Sequence, residues 1–337
     1  MTLEEITEQT DLLRLPKYRA KQIYTWLSRG AEDFSEMTDL PEGLRCQLNE
    51  IFFINSAKIK KRLASRIDDT VKYLYVFYDG SLIESVLMKY HHGYSICVST
   101  QVGCRMGCDF CATGKGGFIR NLTPGEILSQ IQTAQKDNGI RISNVVLMGM
   151  GEPLDNFDNV IRFLQLVTDE KGMNLGMRHI TLSTCGLVDR IYELQRYDFP
   201  LTLSISLHAP NDEIRSRTMP VNRKWNVDAL LNACREYAAS TSRRVTFEYA
   251  MINGVNDSAR CAGELAKKLK GMLCHVNLIP VNSIEETDFN ASSERKIAEF
   301  KKILEASGIA VTRRRTLGPD ISASCGQLRG KYADRGV

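Results

Sequence analysis

The chain has 337 residues, 43% of them hydrophobic and 25% charged, which suits a soluble globular protein of one barrel-sized domain plus a smaller appendage. No apolar run approaches a bilayer span, and the acidic start Met1-Thr2-Leu3-Glu4-Glu5 lacks the basic and apolar regions of a secretion signal, so a cytoplasmic location is expected. A net charge of +4 signals a polyanionic partner only weakly, whereas ten cysteines outside a secreted context point to metal binding or thiol chemistry rather than to disulfides.

Residues 1–50 are predicted to be a helical accessory domain. Leu12, Leu13 and Leu15, then Ile23, Trp26 and Leu27, recur at helical spacing, with Pro16 and Pro41 as interruptions. Lys17, Arg19 and Lys21 share one of these helices with Tyr18, Tyr24 and Trp26. Residues 51–90 change period. Lys58, Lys60, Lys61 and Arg62 fall along one predicted strand. Val71, Tyr73, Tyr75 and Phe77 then alternate with their neighbours, Asp79-Gly80 supplies a tight turn, and Leu82–Met88 continues extended, which is a hairpin pattern. Basic residues mixed with aromatics, here and at Arg313, Arg314 and Arg315, together suit an RNA partner, although each cluster alone reads better as a solvated face.

From residue 91 to 310 a strand-then-helix rhythm takes over. Predicted strands are Tyr94–Ser99, Asn144–Met148, His179–Ser183, Leu201–Leu207, Val245–Met251 and His275–Pro280, each short and apolar like a buried parallel strand. Amphipathic segments such as Pro124–Lys136, Val227–Ala238 and Ser258–Lys270 lie between them. The pattern predicts an α/β fold, as an open partial barrel of the (β/α)6 type; a doubly wound sheet is the alternative. Either places functional residues at the C-terminal ends of the strands. Residues 311–337 are expected to hold a terminal strand and a mobile segment.

Cys104-Arg-Met-Gly-Cys108-Asp-Phe-Cys111 follows the first predicted barrel strand, with Gly103 and Gly107 allowing a tight wrap. Thiolates are the ligands of iron–sulfur clusters, and three of them leave one iron of a cubane open. Structural zinc normally takes four ligands in Cys-x2-Cys pairs. The x3-then-x2 spacing without a second pair favours iron–sulfur over zinc or free thiols. The spacing, with an aromatic before the last cysteine, resembles the signature of the radical S-adenosylmethionine (SAM) superfamily. That resemblance implies a [4Fe-4S] cluster whose open iron chelates SAM.

Met148-Gly-Met-Gly-Glu-Pro153, which holds Gly151 and Glu152, reads by itself as only a glycine-rich turn, and Ser183, Ser206-Leu207-His208 and Asn282 read individually as satisfied strand-end residues. Together with Cys97-Val-Ser-Thr-Gln-Val-Gly-Cys104, Gly151-Glu-Pro-Leu-Asp-Asn156, Met219-Pro-Val-Asn-Arg-Lys224 and Cys325-Gly-Gln-Leu328, they resemble the RlmN/Cfr family over nearly the whole chain. The resemblance implies that Gly151, Glu152, Ser183, Ser206, Leu207, His208 and Asn282 bind SAM. It further implies methylation of an adenine at carbon 2, in the peptidyl transferase centre of 23S rRNA and beside the anticodon in tRNA.

Two SAM molecules would serve each turnover. One methylates Cys325; the other yields a 5′-deoxyadenosyl radical that activates the S-methyl group. Glu84 would remove the carbon-2 proton, and Cys97 would release the product through a transient disulfide with Cys325. Implied partners are the RNA and an electron donor such as flavodoxin or ferredoxin; no membrane is involved, and a monomer is expected. Read without the family, Cys97 and Cys325 are ordinary buried thiols and Glu84 faces solvent. Two alternatives stand: a Cfr-like carbon-8 methyltransferase, whose members usually have Ala in place of Pro153, and a non-catalytic iron–sulfur RNA-binding protein. Ser324 departs from the Ala common before the carrier cysteine.

Overall fold

In the computed structural model, which describes residues 1–281, 289–315, 317–321 and 323, the amino-terminal part is helical. Helices α1 (Leu3–Leu12), α2 (Tyr18–Ser28) and α3 (Glu42–Ile51) share a small core of Ile6, Ile23, Tyr24, Phe34 and Leu48. The first helix starts at a capping box, in which Thr2 and Glu5 satisfy each other's exposed backbone N–H groups. Tyr24 hydroxyl donates to Asp169 at 2.5 Å, and Gln132 donates to the Leu27 carbonyl at 2.8 Å, so this unit is tied to the rest of the chain by polar contacts.

Strands β1 (Lys58–Ala64), β2 (Val71–Val76) and β3 (Leu82–Tyr90) form an antiparallel meander. The expected hairpin does not stand alone. Its second strand pairs antiparallel with β4 (Gly93–Cys97), which opens the parallel part of the sheet. The basic strand β1 is the outer edge, where lysines protect against unwanted pairing.

A two-stranded ribbon, β5 (Gln101–Gly103) and β6 (Phe118–Asn121), carries the cysteine loop and the short helix α4 (Ala112–Lys115). Then follow α5 (Pro124–Asn138), β7 (Ile142–Leu147), α6 (Phe157–Thr168), β8 (Ile180–Thr184), α7 (Val188–Gln195), β9 (Thr202–Ser206), α8 (Asp212–Thr218) and α9 (Val227–Thr241). The chain continues through β10 (Val245–Met251), α10 (Ala259–Leu269), β11 (Cys274–Pro280), α11 (Glu294–Ala306) and β12 (Ala310–Arg313).

One ten-stranded sheet runs β1-β2-β3-β4-β7-β8-β9-β10-β11-β12. All six predicted barrel strands are present within a residue or two, and their pairings are parallel. The terminal strand β12 adds to β11 in the same sense, making seven parallel strands among the described residues. The order β4 to β12 follows the sequence without a reversal, as in a barrel rather than a doubly wound sheet. Strand residues such as Val145, Leu182, Leu203 and Phe247 are fully buried, because helices cover one face and the barrel interior the other. Among the described residues no helix is long and apolar enough to cross a membrane.

Candidate active site at the strand ends

The three cysteines of the 104–111 loop line one cavity of about 300 Å³ at the C-terminal ends of the parallel strands. The loop leaves the β5–β6 ribbon at Gly103, whose φ of +82° is a left-handed conformation. Cys104 N–H donates to the Gly117 carbonyl at 2.9 Å and closes the loop base. A Cβ on Gly103 would sit 1.8 Å from that same carbonyl oxygen. Gly103→Ala is therefore expected to splay the loop and lower iron incorporation by about tenfold. Iron analysis of anaerobically reconstituted protein checks this, and full iron occupancy in the variant would contradict it.

Burial pushes the Cys104 thiol up to about 12, and it raises Cys108 as well. Bare, these sulfurs hold their protons; a bound cation supplies the charge that converts them to thiolates. Among the described residues no three His, Cys, Asp or Glu side chains converge on a single-ion position. Three thiols lining one cavity match a cubane that takes three protein ligands, whereas structural zinc takes four.

Of the residues expected to bind SAM, Gly151, Glu152, Ser183, Ser206 and His208 line this same cavity. Leu207 is buried in the core and contributes its backbone, not its side chain, to the strand end. Asn282 and Cys325 lie outside the described residues; Val281, next to Asn282, lines the cavity. Glu152 is buried, and its two oxygens accept from Leu154 N–H at 3.0 Å and Cys185 N–H at 2.7 Å. It thus ties the end of β7 to the end of β8. Burial raises its pKa, and these backbone donors oppose that rise. Gly151 has φ +102°, and a Cβ there would sit 2.6 Å from Gln101 Cβ and 2.8 Å from its backbone nitrogen, so a side chain has no room.

His208 has φ +57°, rare for a residue with a side chain. Its Nδ1 accepts from Ala250 N–H at 2.9 Å, so the neutral ring carries its proton on Nε2. Phe110 of the cysteine loop packs edge-on against it at 4.8 Å. Burial, then the nearby Arg215 charge, lowers its pKa from 6.5 to about 3. Between those values the unfolded chain binds a proton that the folded chain does not. Stability should therefore fall as pH drops below about 6.5, at up to ~1.4 kcal/mol per pH unit. Denaturation midpoints at pH 7 and pH 5 should separate less in His208→Gln than in the parent; equal separations would contradict the assignment.

Several residues of the site escaped the sequence reading. Arg215 is fully buried beneath the cavity, donating to the carbonyls of Cys185 at 2.6 Å and Leu207 at 3.1 Å. Glu248 lines the cavity and accepts from Ser204 at 2.9 Å and Asn277 at 2.8 Å; burial raises its pKa. Gln101 accepts from Glu152 N–H at 2.8 Å and donates to Asp155 at 2.8 Å, stitching the cysteine ribbon to the Gly-Glu-Pro turn. Nothing in the local sequence marks these three, since their partners come from other strands.

Glu84 does not face solvent. It is buried on β3, and its carboxylate pairs with Lys72 at 2.8 Å. Cys97 is buried in a small cluster with Val86 and Met88, against which Val146, Met148, Leu317 and Ala323 pack. Met148 also lines the cysteine cavity, so the two regions are contiguous. The segment preceding Cys325 is pinned to the β1–β2 turn: Asp320 accepts from Ser65 hydroxyl at 2.7 Å and Arg66 N–H at 2.8 Å, and Gly318 N–H donates to Asp68 at 2.9 Å. Of the basic clusters, Arg62 pairs with Asp137, Lys58 with Glu32 and Arg313 with Glu294, which reduces their capacity as free phosphate contacts. Arg314 lines the cavity.

Comparison with known proteins agrees with this geometry. Residues 98–262 match the model of the radical SAM superfamily, and residues 1–54 match that of the ribosomal RNA large subunit methyltransferase N-terminal domain. The chain is 53% identical to the probable dual-specificity RNA methyltransferase RlmN of Alkaliphilus oremlandii, covering 98% of this chain and 97% of that protein. It is 54% identical to the protein of the same description from Clostridium botulinum strain Alaska E43, with coverage of 98% and 95%. A solved radical SAM methyltransferase from Sphaerobacter thermophilus superposes with a TM-score of 0.93 at 45% identity, covering 97% of each chain. With the cysteine loop, the strand-end cavity and full-length similarity in agreement, the chain belongs to the RlmN family of radical SAM methyltransferases.

Proposed function

We propose that this protein methylates carbon 2 of an adenine in RNA, the substrates being an adenosine in the peptidyl transferase centre of 23S rRNA and the adenosine beside the anticodon in tRNA. The observation that carries the reading is the contiguity just described. Three thiols and five of the strand-end positions share one cavity, and Met148 joins it to the face that bears Glu84 and Cys97. Cys104, Cys108 and Cys111 would hold a [4Fe-4S] cluster, which, fed by a donor such as flavodoxin or ferredoxin, supplies the electron that cleaves SAM.

The chain's own residues do the rest. Gly151, Glu152, Ser183, Ser206 and His208, with Leu207 backbone and Asn282, hold SAM. Cys325 carries the methyl group as a thioether, which suits a carbon that has no lone pair to attack an ordinary methyl donor. Ala323, two residues earlier, packs in the cluster of Cys97, which supports Cys97 as the thiol that attacks the Cys325 sulfur and releases product. Glu84 takes the carbon-2 proton. The target base has to leave its stack to reach this interior.

Methylation at carbon 8 is the second reading. Pro153, buried at the start of the short helical turn after Glu152, favours carbon 2, because carbon-8 relatives usually carry Ala there. A non-catalytic iron–sulfur protein would have no use for the buried Glu84 and Cys97. The test is anaerobic reconstitution with iron, sulfide, SAM and reductant, then mass analysis of digested RNA. C2-methyladenosine from the parent and none from Cys325→Ala is the expected result. C8-methyladenosine, or methylation by Cys325→Ala, would overturn the reading.

A further inference from the structure

Lys72 and Glu84 lie inside the sheet with Nζ 2.8 Å from Oε2 and side chains 0% and 1% exposed. Register places Lys72 opposite Val86, and Val86 is itself opposite Cys97. Glu84 is two residues from Val86. Strand alternation therefore sets Lys72, Glu84, Val86 and Cys97 on one face of the sheet. The other face of β2 belongs to Tyr73 and Tyr75, whose hydroxyls bond Asp137 and the Gln130 carbonyl of α5. An ion pair at this depth is a poor device for stability, since desolvating two charges offsets most of their attraction, and apolar residues of like volume serve folding as well or better. The pair instead stands on the face that Leu317 and Ala323 cover, next to the thiol of Cys97.

We infer that Lys72 is a positioning residue for Glu84: its ammonium fixes the Glu84 group, as a carboxylate, where it takes the proton from carbon 2 of the adenine joined through the methylene to Cys325. The inference rests on the reading of Glu84 as the base. In that step the carbon-2 C–H bond breaks, its electron pair stays with the ring, and the proton goes to a carboxylate oxygen. Lys72 keeps its protons and forms no bond. Methylation of Cys325 and cleavage of SAM precede this step and need neither residue. Release by Cys97 follows it.

The test uses full-length, anaerobically reconstituted protein and an unmodified tRNA transcript. Lys72→Met should still carry S-methyl-Cys325 by protein mass analysis and still cleave SAM. Its kcat should fall about a hundredfold, with KM for the tRNA within about twofold, and in a single turnover SAM should be cleaved while the RNA–Cys325 adduct accumulates ahead of methylated product. Lys72→Arg should recover most of the rate. Adding Lys72→Met to Glu84→Gln should cost nothing further, and this double variant buries no unpaired charge if the single one fails to fold. A Lys72→Met enzyme at nearly full rate, or a further loss in the Glu84→Gln background, overturns the inference alone. A parent enzyme that leaves carbon 2 unmethylated overturns the underlying reading as well.

Discussion

Cys108→Ala protein is expected to lose its iron and to cleave SAM at least about a thousandfold more slowly than the parent. The reason is the ligand count. Three thiols already leave one corner of a cube without a protein donor, and two cannot hold it. Among the described residues the cavity offers no spare thiol in the loop; its other cysteine, Cys185, is buried at the end of β8 with its backbone committed to Glu152 and Arg215. The fold should survive, since removing one partly buried sulfur costs only about 1 kcal/mol. Iron content, anaerobic 5′-deoxyadenosine release and a thermal melt measured together decide it. A variant that keeps its iron and its rate would show that the cluster is held elsewhere.

Arg215→Met is expected to cost about 3–5 kcal/mol of stability and to weaken SAM binding about tenfold. The guanidinium spans the ends of β8 and β9. Its Nη2 donates to the carbonyls of Cys185 at 2.6 Å and Ser206 at 3.3 Å, its Nε to Leu207 at 3.1 Å and its Nη1 to Asn222 at 3.1 Å. It therefore holds the C-terminal ends of β8 and β9, which carry Ser183, Ser206 and His208, in fixed relation. Methionine fills the space but leaves those acceptors buried without donors. Lysine keeps the charge without the planar fork and should restore only part of the loss. Urea midpoints and SAM titration measure the two effects; an unchanged midpoint with unchanged affinity would contradict the bracing role.

The legibility of this chain follows the range of the interactions involved. The six barrel strands could be read because strands buried on both faces are short apolar runs, a local property. The cysteine loop stands out because three candidate ligands fall in eight consecutive residues, and the structure places all three on one cavity. Lys72 could not. In Val71-Lys72-Tyr73-Leu74 the lysine falls on what looks like the wet face of a hairpin, and only the pairing of β3 with β4 shows that this face is the barrel interior. The same pairing turned Glu84 from a solvent-facing residue into a buried one. Arg215 lies in Glu-Ile-Arg-Ser-Arg, where nothing local separates it from the more exposed Arg217. A terminal strand is expected after residue 310, but that Ala310–Arg313 joins the barrel as its seventh parallel strand shows only in its register against β11.

The most direct measurement of the central claim is the metal content of protein purified and kept without oxygen, read together with its electron paramagnetic resonance spectrum after reduction. About four irons per chain and a cubane signal that changes when SAM is added are the predicted result. A colourless protein with a single zinc in the 104–111 loop, and no spectral response to SAM, would contradict it.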